Sequence, residues 1–281
     1  MSKIWFVTGS SRGLGRATVE TALARGGQVV ATARKPEQLD DLVARYGDRV
    51  LPVGLDVTSD DDVRRAVKAG LDAFGRYDVV VNNAGYGDLA AVEDVTLQDF
   101  QAQMDTNFYG VVHVTKAVLP ILREQGSGHI FQVSSLGGRI GSTGLAAYQS
   151  AKWAVGGFST VLAQEIAPLG VKVTVLEPGA MRTDWAGSSM TIPPISEPYQ
   201  QTVGVFADML RMLRNADPEA ARANSADPAR IAAIIADLAD RDDAPLRILL
   251  GPDAVQYWDV ASQALAESDA KWRSVSESAW S

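Results

Sequence analysis

A tyrosine and a lysine stand four residues apart in the run Tyr148-Gln149-Ser150-Ala151-Lys152, a spacing that places both on one face of a helix, about one turn apart. A cation so placed favours phenolate over phenol and draws the tyrosine down from its ordinary value of about 10, toward the range of an acid/base catalyst. The same spacing also fits a half-buried ring beside a solvated amine. Other groups decide between the two. Ser135 precedes Tyr148 by 13 residues, at the carboxyl end of a strand-like run where open α/β sheets place ligands, and its hydroxyl can bond a substrate oxygen. A plain turn serine is the alternative there, and Ser134 beside it fits that alternative. Asn107 falls in a helical interior, where its side chain competes with the backbone for hydrogen bonds unless it lies on a polar face.

Upstream, Thr8-Gly-Ser-Ser-Arg-Gly-Leu-Gly15 joins a short apolar run to a helical pattern. A pyrophosphate needs close backbone approach and the free N–H groups of a helix N-terminus, so glycines belong where strand gives way to helix. The glycines here are Gly9, Gly13 and Gly15, which is not the G-x-G-x-x-G spacing of the general dinucleotide fingerprint. Gly9, Ser11, Arg12, Gly13, Leu14 and Gly15 are the phosphate-side candidates.

These groups must be held by elements, and the chain supplies a regular alternation. Strand-like runs occur at Lys3 to Thr8, Gln28 to Ala33, Val50 to Leu55, Asp78 to Val81, His129 to Val133 and Val171 to Leu176, and Leu246 to Leu250 offers a seventh. Helical patterns lie between them, through Arg25, over Pro36 to Tyr46, Asp60 to Phe74, about Thr106 to Arg123, and about Ala147 to Ala167. Such alternation builds βαβ units, and the expected fold class is α/β: a Rossmann-type doubly wound parallel sheet of about seven strands with helices on both faces. Residues 1–281 read as a single domain. The pattern breaks at 180–227, a long excursion expected to act as a substrate lid, with a surface helix or an oligomer contact as the alternative. A capped helix from Pro228 to Ala239 follows. The C-terminal segment 252–281 reads as a helical tail, Ala254 to Arg273, whose Trp258, Trp272 and Trp280 imply that it docks on something.

Composition narrows the function classes. With 46% hydrophobic and 21% charged residues the chain can bury a core. Its 34 acidic and 26 basic residues give a net charge of -8, which disfavours a nucleic-acid partner. There are no cysteines and only two histidines, His113 and His129, so thiol chemistry is excluded and a metal site is not expected. No leader-like start and no apolar run of about 18 residues point to a cytoplasmic protein without a membrane partner.

In combination, the motifs resemble those of the short-chain dehydrogenase/reductase family. Thr8 to Gly15 is similar to its T-G-x-x-x-G-x-G, Asn82-Asn83-Ala84-Gly85 to its N-N-A-G, and Asn107, Ser135, Tyr148 and Lys152 to its catalytic tetrad. Pro178-Gly179 and Thr183 extend the resemblance, which covers Lys3 to about Asp184 and runs more loosely to Leu250. It implies that Tyr148 exchanges a proton with the substrate oxygen as hydride moves. Lys152 would keep that proton acidic and hold the nicotinamide ribose, and Asn107 would support a water linking Lys152 to solvent. It further implies that Asn83, Ala84 and Gly85 brace the cofactor site and that Asp56, with Val57, meets the adenine. Asp56 also reads as a residue at the start of a helix. A homodimer or homotetramer built on the helices from Thr106 and Ala147 and on the last strand is implied as well.

Charge argues the cofactor. An acid after the second strand would bond the ribose 2′-hydroxyl of NAD, but that region reads Ala31-Thr32-Ala33-Arg34-Lys35, so Arg34, with Arg12, suits the 2′-phosphate of NADP. Trp185, Met190, Ile192, Tyr199, Phe206 and Met209 make the excursion apolar, which suits a hydrophobic or alicyclic ketone or alcohol. The expected activity is NADP(H)-dependent interconversion of the two. An epimerase or dehydratase on the same frame and a non-catalytic cofactor-binding sensor are the alternatives.

Overall fold

The apolar runs pair as one parallel sheet in a computed structural model that describes residues 2–183, 190–214 and 225–280. Its strands are β1 (Ile4–Val7), β2 (Gln28–Ala33), β3 (Val50–Gly54), β4 (Val79–Asn82), β5 (Gly128–Val133), β6 (Val171–Pro178) and β7 (Arg247–Leu250), in the order β3-β2-β1-β4-β5-β6-β7. Both faces are covered, as a parallel sheet requires. Trp5, Val7, Val29 and Phe131 pack on one face beneath α1 (Gly13–Ala24), α2 (Asp40–Tyr46) and α8 (Pro228–Ala239). Ile4, Phe6, Val30 and Ile130 pack on the other against α3 (Asp60–Phe74), α5 (Gly110–Gln125) and α6 (Ala146–Ile166). Alternate residues of one strand thus enter two cores.

The sheet order reverses between β1 and β4. Val7 is in register with Val81 on one side and Ala31 on the other, so the segments leaving β1, β2 and β4 emerge side by side at the carboxyl edge, where a crevice opens.

Helix caps set several boundaries. Ser59 accepts a hydrogen bond from the Asp62 N–H and opens α3, and Asp227 accepts from the Ala229 N–H to open α8 with Pro228 at its first position.

Three elements differ from expectation. The helix expected from Thr106 begins earlier, as α4 (Leu97–Met104), capped by Thr96 accepting from the Asp99 N–H. It joins α5 through a π-turn over Asp105–Tyr109. The extra residue of that turn shifts the helical phase, and the polar stretch before it masks the apolar period. The excursion carries more than the helix that its apolar set at Phe206, Met209, Leu210 and Leu213 indicates. A 3-10 turn at Glu197–Tyr199, a π-turn at Gln200–Gly204 and α7 (Val205–Arg214) form a third core, in which Met190, Val203, Ala207 and Leu210 meet Leu89 and Leu145. Met209 is exposed, so it does not join that apolar surface, and Trp185 lies outside the described residues. Finally, the tail is a longer helix, α9 (Pro252–Ser278). Ala254 is its one buried residue, and beyond Ser262 every described residue is exposed. Within one chain the outer tail docks on nothing described. Among the described residues no helix is long and apolar enough to cross a membrane.

Candidate active site

The glycine turn follows β1 because the chain must reverse sharply between a buried strand and α1. Gly9 (φ 69°) and Gly13 (φ 57°) hold left-handed conformations that side chains rarely adopt. Gly15 faces the Gly9 carbonyl and the Asn83 amide so closely that a Cβ would overlap both. Ser10 points inward, its hydroxyl donating to the Val7 carbonyl at 2.9 Å. Arg12 occupies the N-cap position without a side-chain cap bond. The first N–H groups of α1 therefore face the crevice with no side-chain acceptor, an arrangement suited to an anion. Leu14 is buried beneath, and Arg12 and Ser11 flank the turn.

Asn83 secures this turn from β4. Its Nδ2 donates to the carbonyls of Thr8 (2.9 Å) and Gly9 (3.1 Å), while the Thr8 hydroxyl accepts from the N–H groups of Asn83 and Ala84 at 2.9 and 3.0 Å. On the opposite wall the segment after β6 brings Pro178, Gly179 and Thr183 across. The Thr183 side chain lies where a Cβ on Gly13 would touch it, at 3.4 Å. Arg34 leaves the end of β2 exposed on the same rim, and neither it nor Arg12 forms an ion pair among the described residues. Asp56 is used locally: one carboxylate oxygen accepts from the Thr58 N–H and hydroxyl at 3.0 and 2.7 Å, which is the helix-start role. Val57 is buried beside Gly110, and its carbonyl bonds the His113 ring at 3.0 Å.

Tyr148 and Lys152 lie in the first two turns of α6, both buried. The Tyr148 hydroxyl is hydrogen-bonded to Ser135, whose own oxygen also accepts from the Gly137 N–H at 3.0 Å and so is fixed at the end of β5. Lys152 Nζ donates to the Val133 carbonyl at 2.8 Å and stands 5.6 Å from the centre of the Tyr148 ring. Ser134 ties the strand to the same helix, donating to the Lys152 carbonyl at 3.1 Å.

The pKa expectation for Tyr148 is corrected here. Burial pushes the phenol up to about 12, with only the Ser135 hydrogen bond pulling it back. Burial also pushes the Lys152 ammonium down to about 8. Desolvation disfavours the charged form of each and is the leading cause of both shifts.

Asn107 lies within the π-turn, fully buried. Its Oδ1 accepts from the Tyr86 N–H at 3.1 Å, and its Nδ2 donates to the carbonyls of Tyr86 (2.8 Å) and Gln103 (2.9 Å). A Cβ on Gly85 would meet that Oδ1 at 2.5 Å and Lys152 Nζ at 3.6 Å, so Gly85 lets Asn107 and Lys152 approach across it. Thr8, read in the sequence only as the head of the glycine motif, belongs to this scaffold, and so do Tyr86 and Gln103, which escaped the sequence reading. Gln103 stands one helical turn before Asn107, and that spacing was the available signal.

Behind Ser135, Arg139 and Arg247 both pair with Glu177, which is wholly buried in β6. The Arg139 guanidinium also lies over the Trp258 ring at 4.9 Å, and Asp253 accepts from the Ala180 N–H at 2.7 Å. The root of α9 thus touches the loops that carry both Ser135 and Gly179.

Residues 3–191 match the model of the short chain dehydrogenase family. The chain is 60% identical to "Oxidoreductase BOA17" of Botryotinia fuckeliana over 277 residues, 98% of each protein. A short-chain dehydrogenase from Streptomyces avermitilis superposes with a TM-score of 0.89 at 36% identity, covering 98% of this chain and 97% of that one. A short chain dehydrogenase from Burkholderia cenocepacia in complex with NADP superposes with a TM-score of 0.73 at 25% identity, covering 96% and 97%.

Proposed function

This chain belongs to the short-chain dehydrogenase family, an oxidoreductase frame, and on that premise we propose that it is an NADP(H)-dependent enzyme interconverting a secondary alcohol and a ketone. The observation that carries the reading is the hydrogen-bonded Tyr148–Ser135 pair beside buried Lys152, opening on a crevice whose far wall is an uncapped helix N-terminus.

The turn from Gly9 to Gly15 would hold the cofactor pyrophosphate, Asn83 to Gly85 and Thr183 its flanks, and Lys152 its ribose. When bound, that cofactor supplies or accepts the hydride. Everything else falls to the chain's own groups. Tyr148, kept protonated by burial, donates its proton to the carbonyl oxygen in reduction and recovers it from the alcohol in oxidation. Ser135 offers the second hydrogen bond to that oxygen. Lys152, cationic at neutral pH, favours the phenolate that forms. Asn107 holds the Gly85–Tyr86 segment that lets Lys152 approach.

The 2′-phosphate falls to Arg34 and Arg12, which stand exposed on the rim and make no ion pair among the described residues. The complex of the Burkholderia cenocepacia relative with NADP supports this choice. For the substrate we infer an apolar carbonyl compound. An open groove of about 980 Å³ runs beside α6, lined by Val92, Thr143, Trp153, Tyr199 and Val203 among others; no arginine or lysine lines it to demand an anion, and its lining adjoins Tyr148 in sequence through Gln149 without including Tyr148 or Ser135.

The test is turnover of NADPH with a panel of apolar ketones by wild type and Tyr148→Phe. We expect the variant to lose on the order of 10²- to 10⁴-fold, the usual worth of a positioned acid, while keeping its affinity for NADPH. Equal turnover by the two proteins would remove Tyr148 from the chemistry. Tight NADPH binding without turnover of any ketone would favour the sensor.

A further inference from the structure

We propose that Gln149 selects the substrate: its side-chain amide donates to a second carbonyl oxygen carried close to the reacting ketone, so that 1,3-dicarbonyl compounds such as β-keto esters are preferred to simple ketones. The proposal rests on the Tyr148 chemistry above and names the class of ketone it acts on. One helix presents two stripes at the site. Tyr148 and Lys152, four residues apart, form the stripe that carries the chemistry. Ala146, Gln149, Ser150 and Trp153, in steps of three, one and three, form the adjoining stripe, and all four line the groove beside α6. Gln149 is therefore the link between groove and chemistry, next in the chain to Tyr148 and part of the groove wall.

The polarity of this amide is fixed. The Ser142 N–H can only donate, so Gln149 Oε1 faces it and accepts at 2.6 Å, which turns Nε2 the other way. Gln149 is only 7% exposed, yet Nε2 has no acceptor among the described residues. It lies on the Ser135 side: a Cβ on Gly137 would stand 2.9 Å from Nε2 and 3.4 Å from Ser135 Oγ. Gly137 thus lets the amide and the Ser135 hydroxyl approach one point, where two oxygens of one small molecule can meet both. A buried N–H without an acceptor is costly, and a substrate oxygen removes that cost. The oxygen comes from the groove and not from the cofactor, because no residue of the Gly9–Gly15 turn, of Asn83–Gly85 or of the Pro178–Thr183 segment lines the groove. Its hydroxyls, on Ser142, Thr143, Ser150 and Thr202, rotate to donate or accept and so discriminate little, whereas the amide nitrogen only donates. An alkyl chain in the same place leaves that donor unpaired, and unpaired buried polar groups are how a site rejects the analogue that lacks an oxygen.

The experiment uses ethyl acetoacetate and 2-heptanone, whose chains are equally long and of which only the first carries oxygen beyond the ketone. The ratio of their kcat/KM values with NADPH is measured for full-length wild type, Gln149→Glu and Gln149→Met. Gln149→Glu keeps an acceptor for the Ser142 N–H and loses the amide donor, and Gln149→Met loses both. We expect the ratio to fall on the order of tenfold in each variant, the worth of one hydrogen bond to a buried donor. The greater intrinsic reactivity of the keto ester cancels between proteins, and a disturbed fold lowers both rates without moving their ratio. A ratio in Gln149→Glu equal to that of wild type overturns the proposal and leaves Gln149 as an anchor for the Ser142 loop. If wild type turns over neither ketone, the Tyr148 reading fails, and binding of ethyl acetoacetate, read by tryptophan fluorescence with Trp153 in the groove, decides the proposal by itself. Binding to Gln149→Glu weaker by on the order of tenfold supports it; equal binding to the two proteins, or none to wild type, overturns it.

Discussion

Burial acts in opposite directions on the two titratable members of the site, and the pH dependence follows from that. Tyr148, pushed up to about 12, keeps its proton throughout the working range, as a proton donor to a carbonyl must. Lys152, pushed down to about 8, is cationic below that value and loses its charge as the pH rises through it. Reduction needs both protons in place, so the lysine sets the alkaline limit. For reduction, kcat/KM measured against NADPH concentration, which reports the free enzyme, should be level below about pH 8 and fall about tenfold per unit above it. A profile that stays level to pH 10 would show that Lys152 keeps its charge in spite of burial. Spacing paired Tyr148 with Lys152, the family resemblance added Ser135 and Asn107, and the structure brings all four to one carboxyl edge. The sign of the tyrosine shift was not legible, because spacing reports proximity of a cation but not the loss of water around the phenol.

Between elements, the buried Glu177 of β6 pairs with Arg139 from the loop after Ser135 and with Arg247 from β7. Its arginines are only partly buried, at 17% and 30% side-chain exposure, while the glutamate has none. Removing the carboxylate leaves two guanidinium groups facing each other beside Gly138, whose carbonyl accepts from Arg247 at 3.3 Å. Breaking such a pair from one side costs about 3–5 kcal/mol, whereas replacing every member by apolar groups is close to neutral. Glu177→Ala should therefore lower the unfolding free energy obtained from urea titration by an amount near that range, and Glu177→Leu/Arg139→Met/Arg247→Met should restore most of it. A Glu177→Ala midpoint matching wild type would show that the cluster contributes nothing net. Little of this was legible beforehand, since Glu177 reads as one residue of an apolar strand and its partners lie 38 and 70 positions away. The π-turn was hidden for a different reason: one inserted residue at Asp105–Tyr109 breaks the 3.6 period on which helix recognition rests. Strands Gln28–Ala33 and helices Asp60–Phe74 and Pro228–Ala239, by contrast, were readable to the residue, because caps and glycines mark their ends.

At the scale of the whole molecule, the alternation of apolar runs specified a parallel sheet, and the sheet's reversal between β1 and β4 opens the crevice to which the proposed cofactor site is assigned. What alternation does not encode is which ligand, and the proposed choice of NADP rests on the exposed rim. Arg34 leaves β2 where an acid would select NAD, and Arg12 flanks the anion-receiving end of α1. A ligand that binds only the native state stabilises it by about 2.7 kcal/mol at a hundredfold excess over Kd. For a chain of this size each kcal/mol moves Tm by roughly 2–4 °C, so saturating NADPH should raise Tm by about 5–10 °C. NADH at the same concentration should raise it far less, because its adenosine ribose offers the two guanidinium groups no phosphate and leaves their charge unanswered. Arg34→Asp should invert the order, since a carboxylate repels the 2′-phosphate and can accept from the 2′-hydroxyl. Thermal unfolding of both proteins with each cofactor at matched concentrations measures all four shifts. A wild-type shift with NADH equal to or larger than that with NADPH would overturn the assignment of Arg34 and leave the pyrophosphate turn and the Tyr148 chemistry standing, because those groups meet parts that the two cofactors share.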